Sequence, residues 1–196
     1  MRQTWTSRWK AGQTAPTFKA LLHDGSELTT AKLLGKKFIL FFYNHDGSET
    51  CTKEACNIRD HYRQLSKLGY AVFGVSEDSQ KKHQKFISKF ELPYPLISDE
   101  ENQLAKLFDI YGEKEFMGRI SDAVHRTTFV IDEHGIIESV IHPVDSANPV
   151  SYTHLRAHET VLDLVCRLLL EKKKESHTYV HNSHSTEYNE VPDQSN

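Results

Sequence analysis

Short, unbroken apolar runs separated by polar amphipathic stretches set the pattern of residues 1–148. Phe38-Ile-Leu-Phe-Phe42 is continuous and aromatic, bounded by Gly35-Lys-Lys37 and Asn44-His-Asp-Gly47, and predicts a buried strand. Tyr70-Ala-Val-Phe-Gly-Val75 predicts a second. Thr127-Thr-Phe-Val-Ile131 and Ile136-Ile-Glu-Ser-Val-Ile141, joined by Asp132-Glu-His-Gly135, predict a hairpin. Between them, helical patterns cover roughly 50–67, 79–90 and 101–110. Lys81, Lys82, Lys85 and Lys89 supply the polar face of the second helix. Strand, helix, strand, helix and a closing hairpin give an α/β order with a central mixed sheet flanked by helices.

The pattern changes abruptly near residue 149. Val150-Ser-Tyr-Thr-His-Leu-Arg-Ala-His-Glu-Thr160 resembles the translation of a transposase-type sequencing adapter. In the same frame an eight-base index supplies the end of the Thr160 codon, Val161, Leu162 and the first base of the Asp163 codon. The adapter then reads on through Leu164-Val-Cys-Arg-Leu-Leu-Leu170 to Glu171, and a run of A gives Lys172-Lys-Lys174. One frame accounts for every residue from 150 to 174. Leu162, Val165, Leu169 and Leu170 would also stripe one face of an amphipathic helix, the alternative reading. That alternative needs an eleven-residue identity to arise by chance. Residues 1–148 are therefore read as the domain, 149–174 as an adapter-derived segment with helical potential, and 175–196 as a polar, disordered tail. His154 and His158 at helical spacing, the tract His177, His181 and His184, and Cys166 all fall in or beyond the adapter. None of them counts as a metal or redox site.

Composition narrows the function classes. The 196 residues are 38% hydrophobic and 26% charged, as in an ordinary soluble protein. No run approaches the length of a membrane span, and Met1 to Lys10 lack the apolar core of a secretory signal. A net charge of −3 carries no electrostatic footprint for nucleic acid. Three cysteines are too few for a secreted disulfide scaffold, so a reducing cytoplasm is expected. There, a disulfide is catalytic and transient.

The chemistry concentrates in Phe41-Phe-Tyr-Asn-His-Asp-Gly-Ser-Glu-Thr-Cys-Thr-Lys-Glu-Ala-Cys56. A strand ends, a polar turn follows, and Cys51 opens a helix. Unpaired N–H groups and the positive end of the helix dipole favour a thiolate there, and the thiolate is the nucleophile. A buried cysteine that only packs is the alternative, and position alone leaves both open. Cys56 follows at C-x4-C, neither the thioredoxin C-x-x-C nor a zinc-ribbon spacing. On an intact helix the two Cα atoms stand roughly 8.6 Å apart on different faces, whereas a disulfide wants less than about 7 Å. Joining them requires the helix start to unwind, which suits a bond made and broken in each turnover. Zinc is a weak alternative, because residues 1–148 offer no further ligand pair at the right spacing.

An ordered set of landmarks runs from Lys10 to Asn148. It comprises Gly12-Gln-Thr-Ala-Pro-Thr-Phe18, Phe41-Phe-Tyr43, Cys51-Thr-Lys-Glu-Ala-Cys56 with Arg59-Asp60, and Gly69-Tyr-Ala-Val-Phe-Gly-Val-Ser76. Leu92-Pro-Tyr-Pro-Leu-Ile-Ser-Asp99, Gly112-Glu-Lys114, Met117-Gly118 and His125-Arg-Thr-Thr-Phe129 complete it. With these the chain resembles the peroxiredoxins, in the peroxiredoxin Q or bacterioferritin-comigratory-protein branch. The resemblance implies a thioredoxin-like fold and reduction of hydrogen peroxide and organic hydroperoxides. It matches Cys51 to the peroxidatic and Cys56 to the resolving cysteine, with thioredoxin as the dithiol reductant. The same likeness implies a monomer that needs no metal and no organic cofactor. Ser48 keeps the hydroxyl of the family motif, and Arg126 matches its active-site arginine. Asn44 stands where the family has proline, and Glu49-Thr50 replaces the usual Pro-Gly. The lost proline implies a nucleophile less shielded from water.

Neighbouring residues take weaker assignments. His125 reads as an oriented, hydrogen-bonded side chain rather than a base. Glu54 either orients Arg126 or favours the helix N-terminus, and Arg59 is a second cation near the site or a solvated helix residue. Two rival functions share the fold: a thiol–disulfide oxidoreductase, opposed by the absence of C-x-x-C, and a non-enzymatic redox sensor.

Overall fold

The computed structural model describes residues 7–116 and 118–142. The segments read as adapter and tail, like Met1 to Thr6, lie outside the described residues. Nine strands and four helices follow in the order β1 (Lys19–Leu22), β2 (Glu27–Thr29), α1 (Thr30–Leu33), β3 (Lys37–Phe42), α2 (Glu49–Lys67), β4 (Tyr70–Ser76) and α3 (Gln80–Phe90) among the described residues. Then come β5 (Leu96–Ser98), α4 (Gln103–Leu107), β6 (Tyr111–Phe116), β7 (Arg119–Val124), β8 (Thr127–Ile131) and β9 (Ile137–Ile141). Seven strands make one mixed sheet, ordered β2-β1-β5-β4-β3-β8-β9. The central strands β3, β4 and β5 run parallel, while β8 pairs antiparallel with β3.

Central position explains why β3 reads as an unbroken apolar run: both its faces are covered. Phe38, Leu40 and Phe42 enter one core with Phe73, Val75, Phe129 and Ile131. Ile39, Phe41 and Tyr43 enter the other with Val72, Val130 and Leu96. Helix α2 covers this second face with Cys51, Ala55, Ile58 and Leu65, and α3 adds Phe86. Gly74 lies between Phe41 and Leu96 so tightly that a Cβ would sit 2.6 Å from both side chains. No other residue fits there without displacing them.

The predicted strands and the first two helices form close to the predicted positions. The third helix is shorter than the pattern over 101–110 suggests. Its start is fixed by Asn102 in the left-handed region, with Asp99 accepting from the N–H groups of Leu104 and Ala105. Its end is fixed by Asp109 at φ 53°, which turns the fully buried Ile110 into β6. The hairpin β1–β2 and strand β5 are additions to the sequence reading. So is the separate hairpin β6–β7, whose tip uses Gly118 at φ 77°. Its second strand is largely exposed, so it carries no apolar alternation to detect.

Candidate active site

Strand β3 runs into the second core and stops at Tyr43. The turn His45-Asp46-Gly47 follows, and Ser48 becomes the N-cap of α2. Its Oγ accepts from the Cys51 N–H at 3.3 Å, satisfying a donor that a helix start otherwise leaves open. Cys51 thus occupies the first turn, as expected, and is 3% exposed. Cys56 is half-buried one and a half turns on, and both thiols are free. The helix is continuous across them.

Arg126 lies between β7 and β8 and reaches Glu54 on α2. Its Nη2 donates to Glu54 Oε2, and both side chains are mostly buried. Glu54 therefore holds the arginine, one of the two roles read for it. Arg126 Nε is buried with no hydrogen-bond partner among the described residues, and so are Asn44 Oδ1 and Thr52 Oγ1. Buried polar atoms are normally paired, so these three are exceptions.

Lys114 on β6 is a site residue that sequence reasoning used only as a landmark. Burial is the main cause that lowers its pKa; Arg126 lowers it further, and Cys51 opposes the shift. Three groups thus share one neighbourhood: a thiol, a guanidinium and an ammonium. No local pattern announces Lys114, because a tertiary turn of the chain brings it there.

His125 is pushed below its ordinary pKa by burial and by Lys114, and the carbonyls of Glu113 and Gly112 oppose that shift. Arg59 pairs with Asp60 and donates to Phe90 O at 2.8 Å, tying α2 to the end of α3. Its pKa is raised, first by Asp60, with Cys56 a smaller contributor. Tyr94 OH donates to Ala55 O at 2.7 Å beside Cys56. Lys81, Lys82, Lys85 and Lys89 are exposed as read, and Lys82 also pairs with Asp78.

The AhpC/TSA family model matches residues 11–140, which span every residue of this site. The chain belongs to the AhpC/TSA family. A Bcp homologue from Coxiella burnetii is 44% identical over 131 residues, covering 67% of this chain and 87% of its own length. Peroxiredoxin Bcp of Escherichia coli is 37% identical over 139 residues, covering 71% and 89%. The bacterioferritin comigratory protein of Xanthomonas campestris, solved in work on its alkyl peroxide reduction, superposes with TM-score 0.64 at 28% identity, covering 70% and 90%. This peroxiredoxin falls in the Bcp/peroxiredoxin Q branch, carries its thioredoxin-like fold and is a thiol peroxidase. The family acts on hydroperoxides with thioredoxin-type reductants. No helix among the described residues is long and apolar enough to cross a membrane.

Proposed function

We propose that Cys51 is the nucleophile of this peroxidase, that Cys56 resolves it within the same chain, and that Arg126 and Ser48 stabilise the reaction. One observation carries the reading: a buried cysteine in the first turn of α2 is capped by Ser48, near an arginine whose Nε–H has no partner among the described residues. The Cys51 sulfur attacks one peroxide oxygen as the O–O bond breaks, and negative charge develops on the leaving oxygen. Arg126 cannot lose its proton, so it presents a permanent donor to that charge. Glu54 fixes its orientation beforehand, which is electrostatic preorganisation. The leaving oxygen takes a proton and departs as water or an alcohol, and Cys51 is left as a sulfenic acid. Helix α2 unwinds at its start, the Cys56 sulfur attacks the sulfenic sulfur, and water leaves as the disulfide forms. A dithiol reductant, thioredoxin by likeness, restores both thiols by exchange.

The substrates are hydrogen peroxide and organic hydroperoxides, the latter consistent with the alkyl peroxide activity of the Xanthomonas relative. The working form is a cytoplasmic monomer. Asn44, whose Oδ1 is buried without a partner among the described residues, leaves the nucleophile wetter than the family proline would. Stoichiometric peroxide should convert the reduced protein into a monomer with a Cys51–Cys56 disulfide, read by peptide mass mapping. A dominant intermolecular disulfide, or a lasting sulfenic acid with Cys56 free, would contradict resolution within the chain.

A further inference from the structure

A buried polar cluster behind the Cys51 loop has no part in the chemistry above. Its centre is His83 on α3, 0% exposed at the side chain, facing Asp46, 3% exposed. The His83 Nδ1 lies 2.8 Å from Asp46 Oδ2, and Nε2 lies 3.1 Å from the carbonyl of Ile97 on β5. A carbonyl only accepts, so Nε2 carries a proton. Asp46 Oδ1 already accepts from Tyr43 OH at 2.7 Å. One further proton must therefore lie between Nδ1 and Oδ2, or a lone pair would face a carboxylate in a dry interior.

Charge balance points the same way. The groups facing the pair are Tyr43 from β3, Asp78 after β4 and Lys82 from α3, with His45 and Glu77 paired at the rim at 3.3 Å. Asp78 is buried; its carboxylate accepts from the Asp46 N–H, from Ser76 Oγ and from Lys82. Two buried carboxylates thus meet one ammonium. A proton on the His83–Asp46 pair supplies the second positive charge.

Asp46 is the middle of the segment between Tyr43 and Ser48. Its side chain is tied to α3, its N–H to Asp78, and two residues later Ser48 caps Cys51. We propose that the His83–Asp46 pair, through its shared proton, is the positioning element that holds this loop in its capping shape for peroxide reduction. This rests on Cys51 being the nucleophile.

Asparagine at position 46 separates a positioning role from mere packing. Its Nδ2–H donates to a neutral His83 Nδ1 while its Oδ1 still accepts from Tyr43, so every bond survives without the extra proton. Peroxide consumption with dithiothreitol as reductant would be followed at neutral pH for wild type, Asp46→Ala, Asp46→Leu and Asp46→Asn. Asp46→Ala should lose roughly 10- to 100-fold in rate, as expected when a reacting group is misplaced. Asp46→Leu, which fills the same space without the bonds, should lose as much, and Asp46→Asn should recover most of the loss. Nitrogen NMR should find both His83 ring nitrogens protonated in wild type and one in Asp46→Asn. An Asp46→Asn variant as slow as Asp46→Ala, or an Asp46→Leu variant as fast as wild type, overturns the proposal. So does full activity in Asp46→Ala, or a single protonated nitrogen in wild type. Should Asp46→Ala fail to fold, the Asp46→Asn rate and the NMR still decide. Activity remaining in Cys51→Ser would fail the nucleophile assignment instead, leaving the NMR result to speak for the pair.

Discussion

The two faces of the central sheet use their aromatic residues differently. One face is a phenylalanine core: Phe18, Phe42, Phe108 and Phe129 meet edge-on or tilted, with centroids 4.8 to 6.2 Å apart. The other, under α2 and α3, packs Phe41 and Phe86 beside three buried tyrosines, each with a hydrogen-bonded hydroxyl. Tyr43 donates to Asp46, Tyr94 to Ala55 O and Tyr70 to Glu138. Phenylalanine has no polar atom to satisfy and serves where only packing is required. Tyrosine adds a directional bond, and here two of those bonds end on the segments that carry Cys51 and Cys56. The first face supplies stability alone. The second holds the reactive cysteine in place and contains the helix start that must unwind to form a disulfide.

The comparison predicts kinetic damage without unfolding on one face and the reverse on the other. Arg126→Ala should lower peroxide turnover by roughly 10²- to 10³-fold, the usual cost of losing a donor to developing charge. The rate is compared per folded molecule, because the mostly buried Glu54 carboxylate loses its guanidinium partner. Unchanged turnover would remove the arginine from the mechanism. Phe108→Ala should cost about 3–5 kcal/mol in denaturant unfolding, while each molecule that remains folded reduces peroxide at near the wild-type rate. A specific kinetic loss in that variant would blur the division between the faces.

How much of this was legible in the sequence follows from what each element buries. Strands β3, β4 and β8 stand out because their side chains are buried and nearly continuous, and β9 because it follows β8 across the Asp132–Gly135 turn. The Cys51 helix stands out because a polar turn after β3 and a cysteine pair mark its start. Hairpin β6–β7 was not legible, since Arg119 to Asp122 are exposed and β-pairing alone holds them. Strand β5 is only three residues long, too short for a periodic signal. The end of α4 depends on Asp109 adopting a left-handed backbone, which the helical pattern over 101–110 hides. Within the site, Cys51 was legible from its place at a helix start and Cys56 from C-x4-C, whereas Ser48 and Arg126 were matched only through the family resemblance. Lys114 and His83 were not legible, because chain topology brings them to the site from distant segments.

The smallest effect is expected outside both faces. Residues 150–196, read as translated adapter and tail, should be dispensable: a chain ending at residue 149 should match the full chain in turnover and denaturant midpoint. A large loss of stability on that truncation, or genomic DNA encoding Val150 to Thr160 in frame, would contradict the adapter reading.

The central claim is that Cys51 carries the reaction, and Cys51→Ser tests it most directly. Peroxide consumption by the reduced variant, with a dithiol reductant in excess and circular dichroism to confirm the fold, isolates the thiol from everything else at the site. The account predicts a folded protein with no peroxide turnover above the uncatalysed rate. Turnover near that of wild type in the folded variant would contradict it.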